Sequence, residues 1–312
     1  MRYYFAPLEG LTDSIYRKLH SSYFPGIHKY FTPFLSPTVH RELTKKEQRE
    51  LPIAGTLPYT CVPQILTKVP EDFNYMAQQC KALGYSEVNL NLGCPSGTVT
   101  AKGKGAALLK DIQVLDAFLD QIYSGATMDI SVKTRIGFHC SDEFPALMEI
   151  FNKYPIKELI IHPRNRDAFY KGSVDMKAFE YALLSSVNPV CFNGNLCCKE
   201  DIRLLNEKFP QVESVMLGRG LIGDPGMLSE NTDNATLQAF FDALLEEYQV
   251  AFGSSRNAMF RLKENFRYLL CKFEDSDRLG KRLRKTTDVA EYKEITHAIF
   301  KLKQKPQLTP DW

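Results

Sequence analysis

The sequence predicts an α/β chain, a (β/α)8 TIM barrel over residues 1–232 followed by an all-helical domain over 233–312, on three observations. Eight short β-branched or apolar runs recur within about 220 residues, which is the number of units such a barrel needs. Each run is followed by a helix-like stretch, and that alternation calls for parallel strands joined by crossovers. Functional-looking residues follow nearly every run. A barrel gathers its strand ends into one mouth, whereas a doubly wound open sheet uses mainly one crevice, and no GxGxxG follows the first run.

The runs are 3–7, 28–32, 60–66, 87–91, 129–134, 158–162, 189–193 and 214–218. Between them, 70–83 places Phe73, Met76, Ala77 and Cys80 on one helical face, and 113–123 and 144–154 carry the same period. Beyond the polar stretch 229–234 the strand signal stops. Helical patterns follow at 237–252, 257–272 and 288–303. The middle of this module is basic, with Arg256, Arg261, Lys263, Arg267, Lys272, Arg278, Lys281, Arg282, Arg284 and Lys285 against four acids. A charge run is ordinarily a solvated face; appended to a catalytic barrel, it is also what holds a polyanion.

The net charge of +2 means that any nucleic-acid surface is a local patch. No apolar run approaches the roughly 20 residues of a membrane span. The opening Met1-Arg2-Tyr3-Tyr4-Phe5 enters a strand-like run at once, leaving no room for a signal peptide, so the expected compartment is the cytoplasm. Eight cysteines stand at 61, 80, 94, 140, 191, 197, 198 and 271, with no CxxC and no histidine pair at zinc spacing, so no metal site is expected. The vicinal Cys197 and Cys198 read as small residues opening a helix.

The strand ends carry the chemistry. The fourth run leads into Asn91-Leu92-Gly93-Cys94-Pro95, which sets a cysteine, flanked by glycine and proline, at the mouth. A buried structural cysteine is the blander alternative. The small, basic loop 97–107 after it suits a lid. The fifth run aims Lys133 and Arg135 into the same mouth by its period of two, where a lysine could neutralise an anionic ring. The sixth ends at His162. Glycines follow the last two runs, at Asn193-Gly194-Asn195 and Gly218-Arg219-Gly220, as in the phosphate cradles of such barrels.

Together with Ala6-Pro7-Leu8-Glu9-Gly10 and Gln64, these motifs resemble the tRNA-dihydrouridine synthase family over nearly the whole chain. The pairing of Asn-x-Gly-Cys-Pro with Val132-Lys133-Thr134-Arg135 is the most specific part. The chain departs from the family's usual spelling at Leu8, at Asn195 and at His162-Pro163-Arg164-Asn165. The resemblance implies an FMN-dependent reduction of the uridine C5=C6 bond in tRNA, with NADPH or NADH as reductant, by a monomeric enzyme. It implies flavin contacts from Pro7, Leu8, Gln64, Lys133 and His162, and phosphate contacts from Asn193, Gly194, Asn195, Gly218 and Arg219. Asn91, Arg135 and Lys133 would meet the extruded uracil, and Cys94 would protonate C5. Ribosomal RNA as substrate, and a flavin barrel dehydrogenating a free pyrimidine, are the alternatives. The basic helical module favours an RNA.

Overall fold

The computed structural model describes residues 1–312 other than Val39, Asn231, Thr309, Asp311 and Trp312; Asn231, in the stretch expected to join two domains, thus lies outside the described residues. The strands are β1 (Arg2–Phe5), β2 (Lys29–Phe31), β3 in two pieces (Cys61–Val62 and Gln64–Ile65), β4 (Glu87–Leu92), β5 (Asp129–Arg135), β6 (Leu159–His162), β7 (Val190–Phe192) and β8 (Ser214–Leu217). One sheet runs from the first piece of β3 through β2, β1, β8, β7, β6, β5 and β4 to the second piece of β3. Its registered pairs are parallel.

Both ends of that order belong to one short stretch, so the sheet closes on itself. Tyr30 and Phe31 pair with Cys61 and Val62, while Asn89 and Leu90 pair with Gln64 and Ile65. Pro63, which lacks an N–H, divides the two pieces, and its carbonyl accepts from the Asn89 N–H at 2.8 Å. The predicted eight-stranded α/β barrel is therefore present, with a proline at its closure.

The helices are α1 (Ser14–Tyr23), α2 (Lys45–Glu50), α3 (Pro70–Ala82), α4 (Gly97–Thr100), α5 (Ile112–Ser124), α6 (Phe144–Phe151), α7 (Met176–Ser185), α8 (Lys199–Lys208), α9 (Arg219–Gly223), α10 (Asn234–Phe252), α11 (Ser255–Leu269), α12 (Asp277–Lys285) and α13 (Val289–Ile299). The chain forms two compact units, each drawn from several stretches. The first comprises Met1–Pro7, Lys29–Gly194 and Gln211–Met216; the second comprises Leu8–His28, Asn195–Pro210 and Leu217–Trp312.

In the first unit the barrel interior is layered. Near the strand starts, Glu158 accepts from Tyr4 Oη at 3.1 Å and Ser214 Oγ at 2.6 Å, and Lys29 Nζ lies 2.6 Å from Glu87 Oε2. Tyr4, Ala6, Phe31, Val62, Ile160, Cys191 and Met216 form an apolar cluster. The outward-facing Val88, Leu90, Leu92, Ile130 and Val132 are also buried, as strands covered on both faces require.

In the second unit α10 packs against α1 and α11. Phe240 meets Tyr16 and Phe24 edge-on at 5.4 and 5.0 Å. Helix α12 has no counterpart among the sequence patterns. It buries only Gly280 and Leu283 and exposes Arg278, Lys281, Arg282, Arg284 and Lys285. Three other residues of the basic tract serve the fold. Arg261 pairs with Asp13 at 2.5 Å, Lys272 pairs with Asp224 at 2.7 Å, and Lys263 Nζ donates to the carbonyls of Arg284 and Thr286.

None of the eight cysteines is disulfide-bonded. Cys198 caps α8, and the N–H groups of Cys197 and Cys198 both donate to Asp201 Oδ2, so the vicinal pair does open a helix. Among the described residues no helix is long and apolar enough to cross a membrane.

Candidate active site in the barrel unit

Above the apolar layer, period-2 alternation turns the interior polar. Asn89 and Asn91 share one face of β4, and Gln64 stands on β3 beside them. Gln64 Nε2 donates to Asn89 Oδ1 at 2.8 Å, Asn91 Nδ2 donates to Gln64 Oε1 at 2.7 Å, and Asn89 Nδ2 donates to Ser131 Oγ at 2.9 Å. These groups are buried, and the satisfied chain of amides gives each side chain one orientation.

Asn91 is committed at both ends. Its Oδ1 accepts from the N–H groups of Gly93 and Cys94 at 3.1 and 2.9 Å, so the side chain folds the cysteine loop over the end of β4. Gly105, at φ +61°, brings the chain back to this point. A β-carbon there would stand 3.0 Å from the Cys94 carbonyl oxygen, and the Ala106 N–H donates to that oxygen at 3.2 Å. The segment predicted as a mobile lid is folded, through α4 and a 3-10 turn at Gly105–Lys110. Arg166 secures it by donating from Nε to the Pro95 carbonyl and from Nη2 to Thr100 Oγ1, both at 3.1 Å. Lys104 Nζ donates to Ser36 Oγ at 2.8 Å. Cys94 itself is half-buried.

Lys133 pairs in register with Asn91, and Arg135 with His162. Among the described residues the Lys133 ammonium makes no hydrogen bond and no ion pair. Burial, and next the Arg135 charge, lower its pKa to about 8. Arg135 is buried, and its Nε and Nη1 donate to the carbonyls of Gly93 and Asn165 at 2.9 and 2.8 Å. Its guanidinium also lies 5.4 Å from the Tyr170 ring centroid. His162 Nε2 stands 2.9 Å from Arg164 Nη1. A guanidinium only donates, so the imidazole nitrogen is the acceptor in this contact. The other Arg164 donors hold the carbonyls of Lys171 and Gly172.

The remaining expected residues are placed as follows. Asn193 is buried, with Nδ2 donating to the Met216 carbonyl at 2.8 Å. A β-carbon at Gly194 would come within 2.8 Å of Val174 Cγ1. Pro7 closes the first stretch of the barrel unit. Leu8, Asn195, Gly218 and Arg219 belong to the second unit. There the Leu8 N–H donates to Thr12 Oγ1 at 2.8 Å, and Asn195 is exposed with φ +43°, a backbone state asparagine adopts readily. Gly218 precedes α9, in which a β-carbon at Gly220 would clash with the Leu196 carbonyl.

Sequence reasoning passed over Asn89, Ser131 and Arg166. The first two carry the same alternation that singled out Asn91 and Lys133. Nothing local marks Arg166, whose partners lie 66 and 71 residues away. Among the described residues, no three His, Cys, Asp or Glu side chains gather as metal ligands would.

This arrangement sets a half-buried thiol, two cations and a fixed amide ladder at one end of a barrel. Comparisons with known proteins bear on the fold and the family. An old yellow enzyme homologue from Zymomonas mobilis shares the fold, with a TM-score of 0.53 at 10% identity over 72% of this chain and 86% of that one. A tRNA-dihydrouridine synthase B of Pasteurella multocida is 24% identical over 72% of this chain and 67% of its own length. A probable tRNA-dihydrouridine synthase of Staphylococcus aureus is 27% identical over 77% and 74%. A probable tRNA-dihydrouridine synthase 1 of Synechocystis sp. is 26% identical over 72% of this chain, and the match spans 62% of that protein's length. The family model for dihydrouridine synthases matches residues 4–308, so the chain belongs to the dihydrouridine synthase family.

Proposed function

We propose that the protein is an FMN-dependent oxidoreductase that reduces the C5=C6 bond of uridines in tRNA, with NADPH as the source of electrons. The observation that carries this reading is Lys133. An ammonium without a partner among the described residues, held in a polar barrel interior beside the Cys94 loop, suits a ligand that gains negative charge, as a flavin does on reduction. Gln64, whose Nε2 keeps one N–H beyond its bond to Asn89, fits the hydrogen-bonding edge of the same ring. The assignments of Pro7, Leu8, Asn193, Gly194, Asn195, Gly218 and Arg219 to this cofactor rest on the resemblance.

When bound, the flavin supplies the hydride for uracil C6. The chain's own residues do the rest. Cys94 gives a proton to C5, which a thiol does more readily than a hydroxyl. Lys133 and Arg135 stabilise the charge that builds on the uracil carbonyl oxygens. Arg135 acts there by its field, because two of its nitrogens already hold backbone carbonyls. Asn91 acts on Cys94 by folding its loop.

A uridine in folded RNA must leave its stack to enter the barrel, at a cost of a few kcal/mol. Phosphate contacts to the exposed basic face of α12 would offset that cost. Changing Lys281, Arg284 and Lys285 to glutamine is expected to weaken tRNA binding and to flatten its log–log salt dependence by about 2–3, close to one unit per lost contact. Filter binding between 50 and 200 mM salt checks this, and an unchanged slope would move the RNA surface elsewhere.

The whole reading is tested by incubating the purified protein with FMN, NADPH and unmodified tRNA transcripts, then weighing the released nucleosides. Uridine heavier by two hydrogens supports it. A yellow protein that oxidises NADPH but leaves every tRNA untouched would turn the search to ribosomal RNA or a free pyrimidine.

A further inference from the structure

We propose that Phe169, on the loop after β6, is a stacking platform for the nucleobase next to the extruded uridine, an inference that rests on the RNA-reducing function proposed above. Phe169 is 40% exposed and holds φ at +50°, a left-handed state that disfavours residues with a β-carbon. A solvent-facing turn of that shape suits glycine or asparagine. A large ring left 40% exposed recovers only part of its burial energy to offset the strain, so its exposed face is what needs explaining.

The ring is the outer layer of a column. The Arg166 guanidinium carbon lies 4.9 Å from the Phe169 centroid and 5.1 Å from that of the buried Phe138, and Lys110 Nζ is 4.2 Å from the Phe138 centroid. Two cations interleaved with two rings suit a further flat, electron-rich group near a phosphate chain. The column is rigid. Arg166 and Asp167 donate their N–H groups to the carbonyls of Gly137 and Phe138, and Asn165 Oδ1 accepts from the Ala168 N–H at 2.8 Å.

Position completes the argument. The neighbouring Tyr170 lies 6.0 Å from the His162 ring and beneath the Arg135 guanidinium, so Phe169 borders the mouth that would take the uracil. When a uridine swings out, the base beside it loses a stacking partner. An aromatic face fixed at the rim replaces it, whichever base that is, because every base has a π-face.

The test uses the full chain with FMN, NADPH and the tRNA transcript whose uridine it reduces, carrying 2-aminopurine on either side of that uridine. On wild-type protein one of the two labels should be quenched; on Phe169→Gly it should stay bright. KM for the transcript should rise between about fivefold and a hundredfold, the span expected for loss of one base–aromatic stack, with the loss falling on KM rather than kcat. Phe169→Trp should restore both readings. Glycine relieves the left-handed strain but gives up the ring's contact with Arg166, so Phe169→Leu, which keeps the side-chain bulk and removes only the aromatic face, is the control: loss of quenching at a wild-type melting temperature in that variant separates lost stacking from lost folding. Wild-type quenching and KM in Phe169→Gly would overturn the platform alone. A wild-type protein that reduces no uridine in any transcript would overturn the function and the platform together.

Discussion

Replacing Cys94 with alanine is expected to lower dihydrouridine formation by about 10²–10⁴-fold, the range that a positioned general acid contributes. The flavin spectrum and the rate at which NADPH reduces the bound flavin should stay near wild type. Asn91 holds the loop through the backbone N–H groups of residues 93 and 94, which alanine keeps. Cys94→Ser should fall close to alanine, since a hydroxyl gives up its proton far less readily than a thiol. Single-turnover reduction of tRNA by the pre-reduced enzyme isolates the protonation step from cofactor reduction. Full product yield from Cys94→Ala in that assay would take the acid's role away from this residue.

The barrel was legible because its strands announce themselves by alternation and its strand ends by glycine, proline and unpaired polar residues. Only the closure at Pro63 adds to that reading, and it follows from a missing N–H in a sequence where the proline stands in plain view. Helix α12 escaped notice for a physical reason. Two leucines, Leu279 and Leu283, supply its apolar period, and its remaining anchorage is Gly280, where a β-carbon would meet Leu270 Cδ1 at 2.7 Å. In nine residues that period is two leucines among five basic side chains, so the charge run masks the helix.

The site was half legible for a related reason. Strand-end logic finds Cys94, Lys133, Arg135 and His162 one strand at a time. It cannot find what each side chain is already bonded to, because those partners come from loops tens of residues away. Asn91, expected to meet the substrate, also bonds Gln64 and the Cys94 loop, which leaves one Nδ2 N–H for a ligand. Arg164, in a stretch that departs from the family spelling, orients His162 and clamps the turn that follows Tyr170. Composition also overstated the basic tract, since Arg261, Lys263 and Lys272 are held inside the second unit by Asp13, two carbonyls and Asp224.

Lys133→Met is expected to abolish most activity and yet make the protein more stable at pH 7. The wild-type ammonium is taken out of water beside Arg135 with no counter-ion among the described residues, and its pKa falls from 10.5 to about 8. Below pH 8 both the folded and unfolded chains hold this proton, so the full cost of burying the charge is present. Between about pH 8 and 10.5 the folded chain releases the proton while the unfolded chain keeps it. Stability therefore rises with pH across that window and levels off above it. Methionine fills a similar volume without the charge. The gain at pH 7 should be about 1–2 kcal/mol, less than the full linkage value because the lysine is only half-buried. Urea unfolding of both proteins at pH 7 and pH 10.5 checks this, with the difference between them shrinking at the higher pH. A methionine variant less stable at pH 7 would mean that the folded protein gives the ammonium a partner, which would remove the argument that its charge is kept for a ligand. A stable but inactive variant with weakened flavin retention would show the opposite, that the chain tolerates an unfavourable charge because the cofactor uses it.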